Sequence, residues 1–424
     1  ENNRYKANWD DGAKLVYPHD EAVIDKVRSM EHRNIRFNGP AELITILGEE
    51  TDRKFIQKVK SASLSPELVK KYHDLKIVYT PIHGTGVKLV PMALREFGFT
   101  NIISVPEQDV ISGNFPTVVS PNPEEPAAMK MAIEKAIETG ADLVMATDPD
   151  SDRLGVATRN LNGEYVIING NQTALLFIYY IITRMKENNA LTGNEYVVKT
   201  IVSTELITEI ARRNQVEYYD VYTGFKYIAE IIRENEGIKK YIGGGEESFG
   251  FLPADFVRDK DAVTSIAMMA EIVAWAMEKG KTLYELLLDI YIQYGFSREK
   301  TVSVTRKGQS GAEEIRNMMA GFRKTPPKEL GGSHVEWVKD YMSLVQKNPV
   351  TGEELPIQQK SASDVLQFIT GAGTKISVRP SGTEPKIKFY TEVKGTLNSY
   401  DELEAANQKA DTLISSVLSE LGLE

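Results

Sequence analysis

Short apolar runs alternate with longer amphipathic stretches from residue 72 onward. Leu75–Thr80 and Leu143–Thr147 are apolar runs that carry β-branched residues, which predicts buried strands. Val87–Phe97 and Ala127–Glu138 instead repeat apolar residues at helical spacing, which predicts helices. Strands and helices that alternate at these lengths are typical of a mostly parallel sheet that is covered by helices and joined by right-handed crossovers.

The rest of the chain divides where this pattern changes. A second α/β region follows the first, and the last part of the chain is typical of a smaller α+β module. The beginning carries two predicted helices, near Ala22–Met30 and Asp52–Ser61, joined by short strands, which is too little to close an α/β domain. We therefore predict successive α/β domains with mixed, mostly parallel sheets and a C-terminal α+β domain. The predicted domains are 1–71, as the C-terminal remnant of a further domain, 72–160, 161–290 and 297–424.

Composition narrows the possible classes of protein. The 424 residues are 42% hydrophobic and 26% charged, as in ordinary globular proteins. The net charge of −10 has the wrong sign for a nucleic-acid binder, and the absence of cysteine excludes disulfides and thiolate chemistry. The apolar run Ala174–Ile182 is shorter than the roughly 20 residues that span a bilayer. Because the first residues show no signal peptide, we expect a cytoplasmic protein without nucleic-acid or membrane partners.

Three aspartates directly follow the predicted strand Leu143–Thr147. Asp148, Asp150 and Asp152 alternate with other residues, and Arg153 follows them. In α/β folds, ligands bind at the carboxyl ends of strands. Carboxylates crowded at such a place repel one another unless a hard cation such as Mg²⁺ or Ca²⁺ lies between them. The sequence therefore favours a metal site over the alternative, a solvated acidic loop.

Two other kinds of acidic loop fit this segment less well. An EF-hand is excluded because the positions that require glycine and glutamate hold Arg153 and Arg159. A phosphatase of the haloacid-dehalogenase type would use Asp148 as its nucleophile. The residue two positions after the second aspartate would then be threonine or valine, and here it is Asp152.

Two further loops follow runs that resemble strands. Gly243–Gly250 combines glycines, which permit a tight turn, with the carboxylate and hydroxyl oxygens that suit sugar hydroxyls. Its alternative interpretation is a flexible acidic turn. Arg379–Pro385 combines an arginine, two hydroxyl groups and a glycine, which suit a phosphate group. Its alternative is an ordinary turn with a surface arginine.

Several other motifs carry less chemistry. Val257–Asp261 places alternating charges at a helix N-terminus, and taken alone these predict helix capping. Gly84–Gly86 lacks the third glycine of a dinucleotide-binding loop, and Gly371–Lys375 lacks Walker A spacing and is predicted to be a hairpin or loop. Among the histidines, His83 in the turn after the first strand is the one to consider for a function.

The ordered set of loops resembles the α-D-phosphohexomutase superfamily and, within it, the phosphoglucomutase/phosphomannomutase subgroup. The matching motifs, which extend over nearly the whole chain, are YKANWDDGA, NFPTVVSPNPEEP, DPDSDR, TGFK, GEESFG, VRDKDA and RPSGTEP. This resemblance replaces the capping interpretation of Val257–Asp261. It implies four domains around a cleft, in which three α/β domains supply phosphoserine, metal and sugar loops and an α+β domain supplies the phosphate loop.

The resemblance also implies roles for individual residues. Lys6 and Lys260 would lie near the reacting oxygens, as acid, base or charge-stabilising groups. The other implied residues are Asp148, Asp150 and Asp152 for Mg²⁺, Glu246, Ser248, Thr223 and Gly224 for the sugar, and Arg379, Ser381, Gly382 and Thr383 for the non-reacting phosphate, with Arg153 in support.

The reaction implied by the resemblance interconverts a sugar 1-phosphate and a sugar 6-phosphate through a phosphoserine enzyme and a sugar bisphosphate. GEESFG is similar to the form found in glucose-acting members, so glucose is the expected sugar. The family's phosphorylated serine lies just upstream of the YKANWDDGA match, so we expect the chain that begins at Glu1 to lack it and to be inactive alone. The alternatives are specificity for mannose or pentose phosphates, a non-catalytic phosphosugar-binding protein and a metal-dependent phosphatase.

Overall fold

The computed structural model describes residues 7–306, 308–382 and 385–423. They form two compact units, of which unit 1 contains residues up to Ser203 together with Ile207–Leu287, and unit 2 contains Thr204–Leu206 and the residues from Leu288 onward. Lys6 and Thr383, both predicted site residues, lie outside the described residues. In the described part of the chain, no helix is long and apolar enough to cross a membrane.

Unit 1 begins with two helices, α1 (His19–Ser29) and α2 (Glu49–Lys60). The predicted short strands between these helices are wrong, because the structure has 3₁₀ turns there, at His32–Asn34 and Ala41–Leu43. Every residue of 21–50 is exposed, so a strand in this stretch would have neither a partner for its backbone nor a core for one of its faces.

The first sheet of unit 1 carries the predicted acidic loop. Its elements are α3 (Pro66–Lys71), β1 (Ile77–Thr80), α4 (Gly86–Phe97), β2 (Ile102–Ser104), α5 (Pro126–Thr139), β3 (Leu143–Thr147), β4 (Leu154–Arg159) and β5 (Tyr165–Ile168). The strand order is β2-β1-β3-β4-β5, parallel from β2 to β3 and antiparallel beyond. Every residue of β1 and β3 is buried, as their apolar sequences predict, and side chains of α5 such as Met129 pack on them.

The second sheet of unit 1 carries the predicted sugar loop. Its elements are α6 (Gly170–Glu187), β6 (Glu195–Thr200), α7 (Leu206–Arg213), β7 (Glu217–Val221), α8 (Phe225–Glu234), β8 (Lys240–Gly245), β9 (Phe251–Leu252) and α9 (Ala262–Glu278). The order β7-β6-β8 is parallel, and β9 is antiparallel to β8. Asp261 caps α9 by accepting the N–H of Val263 at 2.9 Å, so the VRDKDA motif ends where a core helix begins.

Unit 2 is built on antiparallel strands. Its elements are α10 (Leu283–Tyr294), of which Leu283–Leu287 still belong to unit 1, β10 (Phe296–Thr305), α11 (Gly308–Lys324), β11 (Glu329–Leu330), β12 (Ser333–Asp340), β13 (Val345–Lys347), β14 (Glu354–Pro356), β15 (Leu366–Thr370), β16 (Lys375–Pro380), β17 (Lys386–Gly395) and α12 (Leu403–Glu420). The sheet order is β10-β17-β16-β15-β12-β13-β14. The turn from β15 to β16 is the predicted hairpin at Gly371–Lys375. The predicted fold class, α/β with a C-terminal α+β module, is confirmed.

Candidate functional site

The three predicted metal ligands lie on one loop between the buried strands β3 and β4. Asp148, Asp150 and Asp152 each place a carboxylate oxygen within 4.8 Å of those of the other two. Among the described residues, these three form the one group of three or more His, Cys, Asp or Glu side chains with such geometry. Carboxylate oxygens that converge in this way are the ligands that Mg²⁺ and Ca²⁺ prefer.

Asp148 holds this loop in shape. Its Oδ1 accepts the backbone N–H groups of Asp152 and Arg153, both at 3.0 Å. Burial, together with repulsion from Asp152 and Asp150, raises the pKa of Asp148 to about 7, against the opposing effect of the Arg153 N–H and charge. Holding the three carboxylates so close costs free energy, and a bound cation would remove that cost. The donor set therefore fits a hard divalent cation.

Lys260 connects the metal loop with the predicted sugar loop. Its Nζ lies 3.5 Å from Asp152 Oδ1 and 3.7 Å from Glu246 Oε2, and its side chain is 12% exposed. Burial alone would lower the pKa of Lys260, but the charges of Glu246 and Asp152 outweigh it, and the pKa is raised. The ammonium group is therefore charged at neutral pH and lies where it can stabilise negative charge beside the aspartates.

Glu246 fixes the second loop that is predicted to contact the sugar. It follows β8 and is almost fully buried, and its Oε1 accepts the N–H of Gly224 at 2.8 Å. Next to Gly224, the Oγ1 of Thr223 is buried and has no hydrogen-bond partner within the described residues. Ser248 is half-buried in the turn between β8 and β9. A buried hydroxyl without a partner is unusual, and it suits the binding of a polar ligand.

Arg153 joins the metal loop to the proline-rich segment NFPTVVSPNPEEP. Its Nη1 lies 3.0 Å from Glu124 Oε1, and its Nε lies 3.7 Å from Asp148 Oδ2.

An open cavity of about 350 Å³ lies beside the metal loop, and its lining includes Asp150, Asp152 and Lys260. The candidate ligands thus face a space that a small molecule can reach.

The predicted phosphate-binding residues lie in unit 2. Arg379 belongs to β16, and Ser381 and Gly382 follow that strand. The N–H of Ser381 donates to the carbonyl oxygen of Lys386 at 2.7 Å, which draws the two ends of the loop together. A side-chain carbon added at Gly382 would meet no atom within 4 Å among the described residues other than its chain neighbours, which suits a backbone that a ligand approaches closely.

His83 supports a loop. It is buried, its Nδ1 lies 2.8 Å from the carbonyl oxygen of Val110, and its Nε2 lies 2.8 Å from Thr117 Oγ1. Since both ring nitrogens are engaged by the long connection between β2 and α5, the role that these contacts support is structural.

The structure shows an ion pair beside the site that sequence reasoning missed. Lys14 Nζ lies 2.6 Å from Asp259 Oδ2, and Asp259 Oδ1 accepts the N–H of Lys260 at 3.0 Å. Lys14 ends a turn that is closed by a bridge to Asn8. Both partners lie within matched motifs or next to them, but nothing in the sequence pairs segments so far apart along the chain.

A second carboxylate cluster, in unit 2, was also missed. Glu392 on β17 faces Lys375 on β16 and Glu299 on β10 in the sheet register. Lys375 Nζ lies 3.1 Å from Glu392 Oε2 and 2.6 Å from Glu205 Oε1. Glu392 Oε1 accepts hydrogen bonds from Thr204 Oγ1 at 2.8 Å and from the N–H of Glu205 at 2.9 Å. We call these five residues the unit 2 cluster.

Comparison with protein families gives matches over most of the chain. Residues 53–163 match "Phosphoglucomutase/phosphomannomutase, alpha/beta/alpha domain II", residues 169–294 match domain III of the same description, and residues 343–409 match its C-terminal domain. The first two ranges contain the metal loop and the sugar loop, and the third contains Arg379.

Curated relatives agree with these matches. A phosphoglucomutase of Staphylococcus haemolyticus is 35% identical over 387 residues, which cover 88% of this chain and 69% of that protein. A phosphoglucomutase of Staphylococcus aureus strain MRSA252 is 38% identical over 323 residues, which cover 76% of this chain and 57% of that protein. The matched part of the chain thus spans between 57% and 69% of these relatives.

Solved structures agree on the fold. A protein named as a phosphomannomutase from Thermus thermophilus matches with a TM-score of 0.57 and 17% identity, over 86% of this chain and 66% of that one. Parafusin, an exocytosis-sensitive phosphoprotein and phosphoglucomutase from Paramecium, matches with a TM-score of 0.59 and 16% identity, over 88% of this chain and 62% of that one.

Proposed function

Because the chain belongs to the phosphoglucomutase/phosphomannomutase family, we propose that the protein interconverts a sugar 1-phosphate and a sugar 6-phosphate, with glucose as the sugar. The observation that carries this proposal is the single contact network in which Lys260 joins the metal aspartate Asp152 to Glu246. A metal loop and a polyol-binding carboxylate joined by one cation are suited to phosphoryl transfer on a sugar.

In this proposal the metal loop serves the transferring phosphoryl group. Asp148, Asp150 and Asp152 hold Mg²⁺, which when bound stabilises the charge on that group. Arg153 keeps the loop in position through Glu124. Lys260, charged at neutral pH, stabilises negative charge on the reacting oxygens and can give a proton to one of them. By the family resemblance, Lys6 is a second acid, base or charge-stabilising group near the reacting oxygens.

The sugar and its second phosphate are held by different loops. Glu246 accepts hydrogen bonds from vicinal hydroxyls and Ser248 donates to them. The Thr223 hydroxyl completes this contact beside Gly224, whose N–H holds Glu246 in place. Arg379 forms a bidentate pair with the non-reacting phosphate, and Ser381, Gly382 and Thr383 add hydroxyl and N–H donors.

We further propose a reaction path through a phosphoserine and a sugar bisphosphate. The phosphate clamp accepts the bisphosphate in either of two orientations, so the phosphate that returns to the serine comes from the other end of the sugar. The serine belongs to the segment that the family resemblance predicts upstream of Lys6. We assign 72–160 as the metal domain, 161–290 as the sugar domain, 297–424 as the phosphate domain, and 1–71 as the end of the serine-bearing domain.

The test measures binding and turnover separately. Glucose 1-phosphate, mannose 1-phosphate and ribose 1-phosphate are titrated into the 424-residue chain with MgCl₂, and turnover is then followed by ³¹P NMR with this chain and with the chain extended by the upstream segment. We expect binding by the chain, preferring glucose, and conversion by the extended protein. Binding without conversion by the extended protein would favour a non-catalytic phosphosugar-binding protein, and no binding of any sugar phosphate would contradict both.

A further inference from the structure

Lys260 has two carboxylate partners, and one of them is a candidate metal ligand. Its ammonium group lies 3.5 Å from Asp152 Oδ1 and 3.7 Å from Glu246 Oε2. We propose that Lys260 is the counter-ion of the metal-free aspartate loop and that a divalent cation displaces it from Asp152, leaving Glu246 as its main partner. The inference rests on the proposed metal site and gives Lys260 a role in metal binding that is separate from phosphoryl transfer.

The backbone around Lys260 is fixed on both sides. The N–H of Lys260 donates to Asp259 Oδ1 at 3.0 Å, and the N–H of Asp261 donates to the carbonyl oxygen of Phe251 at 3.1 Å. The next residue, Ala262, donates its N–H to the carbonyl oxygen of Ser151 in the metal loop at 3.2 Å. The response to a bound cation is therefore confined to the flexible four-carbon side chain.

The side chain of Lys260 runs along the sugar loop before it reaches the aspartates. A Cβ at Gly250 would lie only 2.4 Å from Lys260 Cδ and 3.5 Å from Glu246 Oε2, so glycine at this position makes room for the lysine stem. The ammonium group is thus held between the two loops. A small rotation about the last bonds of the Lys260 side chain transfers the ammonium group from one carboxylate to the other.

Charge balance predicts whether Lys260 strengthens or weakens cation binding. In the metal-free loop, Lys260 offsets part of the repulsion among three aspartates that lie within 4.8 Å of one another. A divalent cation at the same carboxylates repels the ammonium group, because like charges at this range in a partly buried site are weakly screened. Lys260 therefore stabilises the empty loop and at the same time weakens cation binding.

The experiment is a calorimetric titration of the 424-residue chain with MgCl₂, using wild type, Lys260→Gln and Lys260→Arg. We expect Lys260→Gln to bind Mg²⁺ about tenfold more tightly than wild type, because the competing charge is gone. Its Tm without metal should fall below that of wild type, and saturating Mg²⁺ should close most of the gap. Lys260→Arg keeps the charge and should retain the wild-type affinity within about threefold.

Lys14→Gln is the matched control. It removes a partly buried lysine that pairs with Asp259, the neighbour of Lys260, and that makes no ion pair with the metal aspartates in the part of the chain that the structure describes. We expect its Mg²⁺ affinity to stay within about twofold of wild type, as for an ion pair outside the site.

The outcomes separate this inference from the proposed function. Unchanged or weaker Mg²⁺ binding by Lys260→Gln, with wild-type binding intact, overturns the counter-ion role and leaves the metal site in place. If Lys14→Gln strengthens Mg²⁺ binding equally, the counter-ion role of Lys260 is also overturned, since the change in affinity would then follow from the overall charge of the protein. If neither wild type nor Lys260→Gln binds Mg²⁺, the metal site itself is wrong, and this inference is overturned with it.

Discussion

The metal loop and the unit 2 cluster each crowd three carboxylates near a lysine, but their partners differ. In the metal loop, Asp150 and Asp152 come from the same short stretch as Asp148, and their oxygens converge on one point. In the unit 2 cluster, Glu392 is flanked by Lys375 and by the hydroxyl of Thr204, so one carboxylate oxygen is ion-paired and the other is hydrogen-bonded. The first arrangement holds its carboxylates on one loop beside an open cavity, where a cation can reach them, whereas the second holds Glu392 buried within a sheet.

The function of an acidic cluster can be interpreted from the groups that surround it. Buried carboxylates that are matched by hydrogen-bond donors and a lysine are typical of structural networks. Carboxylates that share a loop and border an open cavity are typical of ligand sites.

The first prediction is a marked weakening of metal binding on changing one aspartate. Asp150→Asn keeps the size of the side chain but removes one of the three charges, so Mg²⁺ affinity should fall by about 100-fold. Calorimetry with MgCl₂ measures it. Glu392→Gln makes the same change in the unit 2 cluster and should leave the affinity unaltered. The distinction fails if the two substitutions weaken Mg²⁺ binding equally.

The second prediction concerns the lysine of the unit 2 cluster. Lys375→Met leaves the buried Glu392 without its cation, which should lower the free energy of unfolding of unit 2 by about 3–5 kcal/mol. Urea denaturation measures it through Trp337 of unit 2, in a background where Trp9 and Trp275 are phenylalanine.

The control for this lysine is a surface pair in the same unit. Lys347 lies 2.9 Å from Glu354 with both side chains 56% exposed, so Lys347→Met should cost at most about 1 kcal/mol. A loss at Lys375 no greater than this would show that the unit 2 cluster is not a structural network.

The third and smallest effect is a pH dependence of stability. Burial and the nearby Glu392 raise the pKa of Glu299 from 4.5 to about 7, against hydrogen bonds from Ser297 and Thr204. Between these two values the folded chain binds more protons than the unfolded chain, so stability is greatest at low pH and falls as pH rises toward 7. The change should approach about 3 kcal/mol at most, since each pKa unit contributes about 1.4 kcal/mol.

The Trp337 probe checks this by urea denaturation at intervals from about pH 4.5 to about pH 8, a range that spans both pKa values. Glu299→Gln cannot titrate and should remove the decrease attributable to Glu299, so its stability relative to wild type should grow with pH. An identical pH profile for wild type and Glu299→Gln would mean that folding does not change the pKa of Glu299.

Local sequence predicted much of the fold. Leu143–Thr147 is a buried strand with the predicted ends, since an apolar run bounded by Gly140 and by aspartates admits few alternatives. Pattern failed between the first two helices, where the predicted short strands are 3₁₀ turns and apolar residues such as Phe37 and Ile46 are exposed. A strand depends on partners elsewhere, which a short window of sequence cannot show.

The residues of the candidate site were also predictable from sequence only in part. Asp148, Asp150 and Asp152 were visible because one loop carries all three. The place of Lys260 between Asp152 and Glu246 followed from no local pattern, and family resemblance alone pointed to it. The unit 2 cluster was invisible because its five residues come from four separate segments. The register of β10, β17 and β16 brings three of them together, and Thr204 and Glu205 join through hydrogen bonds and an ion pair.

The most direct test of the account is to grow crystals in MnCl₂ and record the anomalous scattering of manganese, which takes the same oxygen ligands as Mg²⁺. The account predicts a strong anomalous peak among Asp148, Asp150 and Asp152 and none at Glu205, Glu299 and Glu392. A peak at the unit 2 cluster, or none at the aspartate loop at saturating Mn²⁺, would contradict it.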